Sequence, residues 1–165
     1  MTYILQKLAR LSGRKASIYT IVLVESNENS LNKFVTENNA DFPREVKDIL
    51  ERLHTIAHKT GAREKFFKPA EGIPGDGVEA LFDEPSKHLR LYCIRNGMVN
   101  IILGGGGSKP KTMHAFQESD KLKKENYFLR AVSQLIYRRL LEKEIRWSKN
   151  DMDLEGNLSF EDTDL

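Results

Sequence analysis

Hydrophobic residues in this chain fall into short runs, and the spacing within each run separates strand from helix. The run ASIYTIVLVE, Ala16 to Glu25, is rich in Ile, Val, Tyr and Thr without polar interruption. That is the pattern of a strand covered on both faces, and so of a central strand. SNENSLNKFVTENNADF supplies caps and breaks around a short helix centred on Leu31, Phe34 and Val35. Pro43 stands where a second helix begins, because a first-turn residue needs no N–H. Val46, Ile49, Leu50, Leu53, Ile56 and Ala57 then recur at helical spacing, and Gly61 stops the stripe they make.

The stretch rich in proline and glycine that follows predicts two short strands, around Phe66 and from Val78 to Phe82. HLRLYCIR and MVNIILGG are strand-like runs joined by Asn96-Gly97, the pair preferred in a two-residue type I′ turn where both central residues need φ > 0. Such a turn sets Arg95 against Met98, Tyr92 against Ile101 and Arg90 against Leu103. Alternation then gathers His88, Arg90, Tyr92 and Ile94 with Val99, Ile101 and Leu103 on one face, and Leu89, Leu91 and Cys93 with Asn100 and Ile102 on the other. The first face is polar on one strand and apolar on its neighbour. A ligand lying along the polar strand accounts for this, and so does a helix covering the apolar half. From Ser119 to about Trp147 the pattern is helical, with Leu122, Leu129, Val132, Ile136 and Leu140 inward. Leu154, Leu158 and Phe160 around Gly156-Asn157 predict a last strand or hairpin docking on the sheet.

At 165 residues the chain has the size of one domain, expected over residues 1–150 with an acidic tail at 151–165. No apolar run approaches the roughly 20 residues of a membrane span, and the N-terminus lacks the h-region of a secretory signal, so a cytoplasmic protein with no membrane partner is expected. A single cysteine, Cys93, excludes an internal disulfide and reads as a small buried hydrophobe. His54 and His58 are spaced i, i+4 on a helix without a third ligand, so no metal site is expected. Charge is distributed unevenly. Residues 86–149 carry 14 Lys and Arg against 5 Asp and Glu, whereas residues 151–165 carry six acids and no base. A basic block followed by an acidic tail suggests a polyanion partner for the block, or the tail itself in that role.

Two motifs could carry chemistry. GGGGSK, Gly104 to Lys109, follows a strand but is no Walker A loop, since Ser precedes Lys and Pro110 follows it. Its glycines fit either a concave nest of N–H groups, which with Lys109 and Lys111 would meet an RNA phosphate, or a hinge. His88, Arg90, Tyr92 and Arg95 on one strand, with Lys109, Lys111 and His114 just past the next, form the second. Cleaving RNA without a metal requires removal of the 2′-hydroxyl proton, stabilisation of charge at phosphorus and a proton for the leaving oxygen, roles open to His, Tyr, Lys and Arg. Tyr92 could stack on a base. The plainer alternative makes Tyr92 a sheet aromatic and pairs Arg90 with a tail carboxylate.

The order of elements, together with KHLRLYCIRNGMVNIILGGGGSKPKTMHAF, resembles the RelE/ParE superfamily of bacterial type II toxins, in its HigB-like and related phage branch. Arg90, Tyr92, Lys109 and Lys111 sit on matching positions. The resemblance implies an α+β, RelE-like fold, with two helices of the N-terminal half packed on a small antiparallel sheet and a C-terminal helix. It also implies a metal-independent and cofactor-free mRNA endonuclease acting at the ribosome and neutralised by a cognate antitoxin protein. On that reading Arg90 and Lys109 stabilise phosphate charge, His88 or His114 handles protons, Tyr92 orients the RNA, and Arg95, Lys111 and His114 bind it. The same fold serves a gyrase-directed branch without nuclease activity, and an RNA-binding regulatory protein is a third expectation.

Overall fold

The computed structural model of the chain describes residues 1–69, 75–83, 88–109 and 119–165. Its elements run β1 (Thr2–Lys7), β2 (Ser17–Leu23), β3 (Glu28–Asn29), α1 (Ser30–Asn38), α2 (Pro43–Thr55), β4 (Phe67–Lys68) and β5 (Val78–Phe82). They continue with β6 (Leu89–Asn96), β7 (Asn100–Ser108), α3 (Asp120–Leu141), β8 (Ile145–Trp147), β9 (Leu154–Gly156) and β10 (Ser159–Glu161). Together they make an α+β protein around one eight-stranded sheet, ordered β10-β1-β2-β7-β6-β5-β4 with β3 appended to β2. Pairing in the sheet is antiparallel except between β2 and β7, which run parallel.

Two cores cover the two faces of the sheet. On one, Leu31 and Phe34 of α1 and Val46, Ile49 and Leu53 of α2 pack against Ile18, Leu89, Leu91, Cys93, Ile101 and Leu103. On the other, Leu122, Leu129, Val132 and Ile136 of α3 pack against Tyr19, Ile21, Ala80, Tyr92, Ile94 and Ile102. Strand β2 is buried along nearly its whole length, as its uninterrupted apolar run predicts. Asn29 caps α1, its Oδ1 accepting the Asn32 N–H at 2.8 Å. Helix α2 opens on Pro43 and runs into one π turn, Ile56–Thr60, which ends at Gly61 with φ +77°. Ser119 caps α3.

Two elements depart from the pattern read in the sequence. The third helix stops at Leu141 rather than near Trp147. Lys143 takes φ +61°, and Ile145–Trp147 then pairs with β9 as a separate ribbon, so the helix lies mid-chain and three strands follow it. The first seven residues, left unassigned by their mixed pattern, form β1, held between β2 and β10. The acidic tail docks on the sheet as its alternating pattern predicts, and it meets the end of the basic block where Arg139 lies near Asp164 and Arg146 near Glu155. It supplies β9 and β10, and β10 docks on the β1 edge, four strand positions from β6.

Charged groups fasten that tail. Arg139, with its side chain 10% exposed, donates to the carbonyls of Asn157 (2.8 Å) and Ser159 (2.6 Å). The Asp153 carboxylate accepts from Ser17 Oγ (2.8 Å), Tyr19 Oη (3.3 Å) and Lys7 Nζ (3.2 Å), while Tyr19 Oη accepts the Leu154 N–H at 3.0 Å. Burial by itself would push the Asp153 carboxyl up, but the hydrogen bonds from Lys7 and Ser17 with the Lys7 charge outweigh it and hold the group below its usual value. A carboxyl lowered in the folded state stabilises the fold above its unfolded pKa, and this contribution disappears as pH falls through the folded value. Asp153→Asn is therefore expected to cost about 2 kcal/mol at pH 7. Urea unfolding of the two proteins should show the gap narrowing below pH 4, roughly the unfolded carboxyl pKa.

Candidate functional site

The residues singled out for chemistry lie on the β6–β7 hairpin, and the register of that hairpin decides which of them meet. Asn96 pairs with Asn100, Arg95 with Ile101 and Ile94 with Ile102, so the loop is the three residues Gly97, Met98 and Val99 rather than a two-residue turn. Of Asn96 and Gly97 only the glycine has positive φ, +60°. Neighbours explain the longer loop: the Met98 carbonyl accepts the Ala62 N–H at 2.8 Å and the Val99 carbonyl accepts the Ser17 N–H at 2.9 Å. Both residues are thereby drawn out of the ladder. The slip is odd in residue count, so it inverts the face partnership. Ile101 and Leu103 join Leu89, Leu91 and Cys93 against α1 and α2, while Tyr92, Ile94 and Ile102 face α3.

Gly104 to Gly107 are neither a nest nor a hinge. They form the second half of β7, with none at positive φ, and three of the four are buried. What requires glycine is the closeness of neighbours. A Cβ on Gly104 would come within 3.0 Å of the Leu129 side chain, one on Gly105 would overlap the Glu125 carboxylate, and one on Gly106 would overlap the Arg90 carbonyl. The last of these lies beside a β-bulge, where the pairing shifts by one residue between Leu91 and Cys93. Helix α3 therefore seats directly on the sheet, and the face expected to lie open is covered.

That covering redistributes the expected site. Tyr92 is fully buried under α3 and Arg90 is 6% exposed. Arg95 points to the opposite face, where its Nε and Nη2 donate to Glu79 at 2.8 and 3.0 Å and its guanidinium lies 5.5 Å from the Phe67 ring centre. The hydrogen bonds to Glu79 raise the Arg95 pKa above its usual value. Arg95 is thus held in an ion pair with Glu79 on the face opposite Tyr92. Lys111 and His114 lie outside the described residues. Cys93 is buried, and desolvation drives its thiol pKa far up, which keeps it an inert thiol.

His88 and Lys109 do come together, at the open end of the hairpin, where the Lys109 N–H donates to the His88 carbonyl at 2.7 Å. The His88 ring turns toward α2, with Nδ1 3.5 Å from Glu45 Oε1 and the ring centre 5.4 Å from that of Phe42. Asp83, fully buried, accepts the neighbouring Leu89 N–H at 2.6 Å. Beyond Phe42 a cleft of about 550 Å³ opens between α1, the end of β7 and the start of α3, with Glu37, Asp41, Ser108 and Lys121 on its walls. Lys121 lies 3.2 Å from Glu37 and 3.6 Å from Glu125, so the cleft carries both signs of charge. Sequence reasoning missed Glu45 and Asp83. Glu45 has the character of any first-turn acid of a helix, and nothing in its spacing points to His88. Glu45 is near His88 Nδ1 but makes no hydrogen bond to it; an imidazole beside a carboxylate can still exchange a proton, and an ammonium one residue beyond a strand end can meet a phosphate.

Comparison of the chain with protein-family models, with curated proteins and with solved structures finds no match in any of the three. The class the fold defines is an α+β protein with a mostly antiparallel sheet and helices on both faces.

Tyr92→Ala is expected to destabilise the protein by about 3–5 kcal/mol, the range for emptying a fully buried aromatic position. Thermal and urea unfolding would check this, and would separate a packing defect from the loss of a reactive group.

Proposed function

We propose that this chain is a RelE/ParE-type toxin with a RelE-like fold, acting on RNA at the open end of the β6–β7 hairpin and restrained by an antitoxin protein. The observation that carries the reading is the His88–Glu45 pair beside Lys109. Glu45 Oε1 lies 3.5 Å from Nδ1 without a hydrogen bond to it, and on this reading the imidazole is the base for a 2′-hydroxyl proton while Lys109 offers a cation to the phosphate. Arg90 and Tyr92, which the resemblance assigns to the reaction, hold the sheet against α3 in this version of the site, and their burial leaves the proton work to His88. No metal is required by the donor set named here.

Burial of Arg90 and Tyr92 also favours a second, non-catalytic reading, in which the same end of the hairpin binds RNA or a protein target such as gyrase without cutting. Controlled expression with mapping of 5′ RNA ends separates the two. Under the nuclease reading, growth arrest comes with new RNA ends, and His88→Ala lowers cleavage by about 100-fold or more in a purified assay, the usual scale of a general base. Lys109→Ala should act in the same direction, with circular dichroism unchanged for both variants. Arrest with intact transcripts would exclude cleavage and move the proposal to the binding reading, and double-strand breaks linked to gyrase would name the target.

A further inference from the structure

A second crevice, remote from His88 in the sequence of elements, opens where the two parallel strands part. Strands β2 and β7 pair only from Ser17↔Asn100 to Thr20↔Leu103, and beyond Thr20 they diverge. The C-terminal half of β2 then borders a space of about 320 Å³, with Gly105 of β7 at its side. Crevices at the carboxyl ends of parallel strands are where open α/β sheets bind ligands, because the diverging chains leave room that neither strand fills. The volume lies at the lower end of the roughly 300–1,000 Å³ of small-ligand sites.

Its walls divide by chemistry. Ile21, Leu23, Tyr3 and Phe128 make an apolar and aromatic side, with the Tyr3 and Phe128 ring centres 5.2 Å apart. Lys33 of α1 and Lys124 of α3 line the space, and so does the carboxylate of Glu28. Glu125 lies over Gly105, in the space a Cβ would need. Its side chain is 18% exposed, and its Oε1 is 3.8 Å from Lys33 and 3.6 Å from Lys121. Two ammonium groups thus keep Glu125 in place as an acceptor beside the aromatic wall. The first amides of α1 are already engaged, Leu31 N–H by Thr20 Oγ1 and Asn32 N–H by Asn29, so anion binding would fall to the lysines.

We propose that this crevice binds a mononucleotide whose base carries an exocyclic amino group. The base lies on Phe128, with Tyr3, itself stacked on Phe160, against its edge; the amino group donates to Glu125, and the phosphate meets Lys33 and Lys124. Aromatic stacking and ammonium–phosphate contact are the two interactions by which proteins hold nucleotides without a metal. The proposal stands independently of the toxin reading, because Phe128, Lys33 and Lys124 belong to neither the His88 pair nor the cleft beside it, although Lys121 borders that cleft and also holds Glu125.

Isothermal titration of the full chain with CMP, AMP, UMP and inorganic phosphate tests it. CMP or AMP is expected to bind with a dissociation constant on the order of 10–100 µM, and UMP, which lacks the amino group, about tenfold more weakly. Glu125→Gln should level CMP and UMP, Lys124→Ala should weaken both by about tenfold, and Phe128→Ala should weaken nucleotides more than phosphate. His88→Ala should leave all of these values unchanged, which keeps this test separate from the one for RNA cleavage. The proposal is overturned if no nucleotide binds at millimolar concentration, if phosphate alone binds as tightly as CMP, or if Lys124→Ala and Phe128→Ala, both folded by circular dichroism, bind as the parent does.

Discussion

The arrangement of this protein depends on how closely α3 can approach β7. Gly104 and Gly105 remove the side chains that would hold the helix away, and Leu129 and Glu125 occupy the space those side chains would have taken. Interiors pack to crystal-like density, so a strand without side chains must be matched by a neighbour that reaches down to the backbone. From this contact follow the burial of Tyr92 and Arg90, the loss of an open sheet face, and the placing of Glu125 at the side of the β2–β7 crevice. A glycine run that resembles a phosphate loop in composition is here a packing device within a strand.

Charge in this chain is mostly spent on structure. The basic block and the acidic tail meet only at Arg139–Asp164 and Arg146–Glu155 among the described ion pairs, and several other cations find acidic partners elsewhere. Arg95 lies on Glu79, Lys121 between Glu37 and Glu125, Lys7 on Asp153, and the N-terminal ammonium on Asp162 at 3.0 Å. Exposed pairs of this kind add little individually. Those in which the cation also reaches backbone carbonyls, as Arg139 does with Asn157 and Ser159, fix the path of the chain. The tail is thereby built into the sheet edge, and the open end of the β6–β7 hairpin is left with a mixture of signs rather than a uniform basic field.

Much of the candidate site was visible only in outline. His88 and Lys109 flank two neighbouring strands, but a two-residue turn would set His88 against Gly105, and it is the three-residue loop with the β-bulge that brings the two together. Their partner Glu45 comes from α2, more than forty residues earlier, and no periodicity links a helix acid to a histidine before a strand. Arg90, Tyr92 and Arg95 were assigned to one strand correctly, yet strand membership says nothing about what covers each face. Arg95 alternates to the α2 side and Tyr92 to the α3 side, so an apparent cluster divides between two cores.

The sequence by itself determined the elements with strong periodicity or strong punctuation. These are the buried run of β2, the two helices around Phe34 and Ile49, the stop at Gly61, the paired strands β6 and β7, and the apolar stripe of α3. Local sterics and the burial of one face suffice for each of these. Tertiary structure alone decided the three-residue loop of the hairpin, the parallel junction of β2 with β7, the end of α3 at Leu141, and the use of the first residues as a sheet strand. In each case the deciding interaction lies outside the segment concerned: the Ala62 and Ser17 amides for the loop, β9 for the strand after α3, and β10 for β1. A hydrogen bond to a distant backbone group leaves no trace in the local pattern, and a shift of one residue in register reverses every side chain it carries.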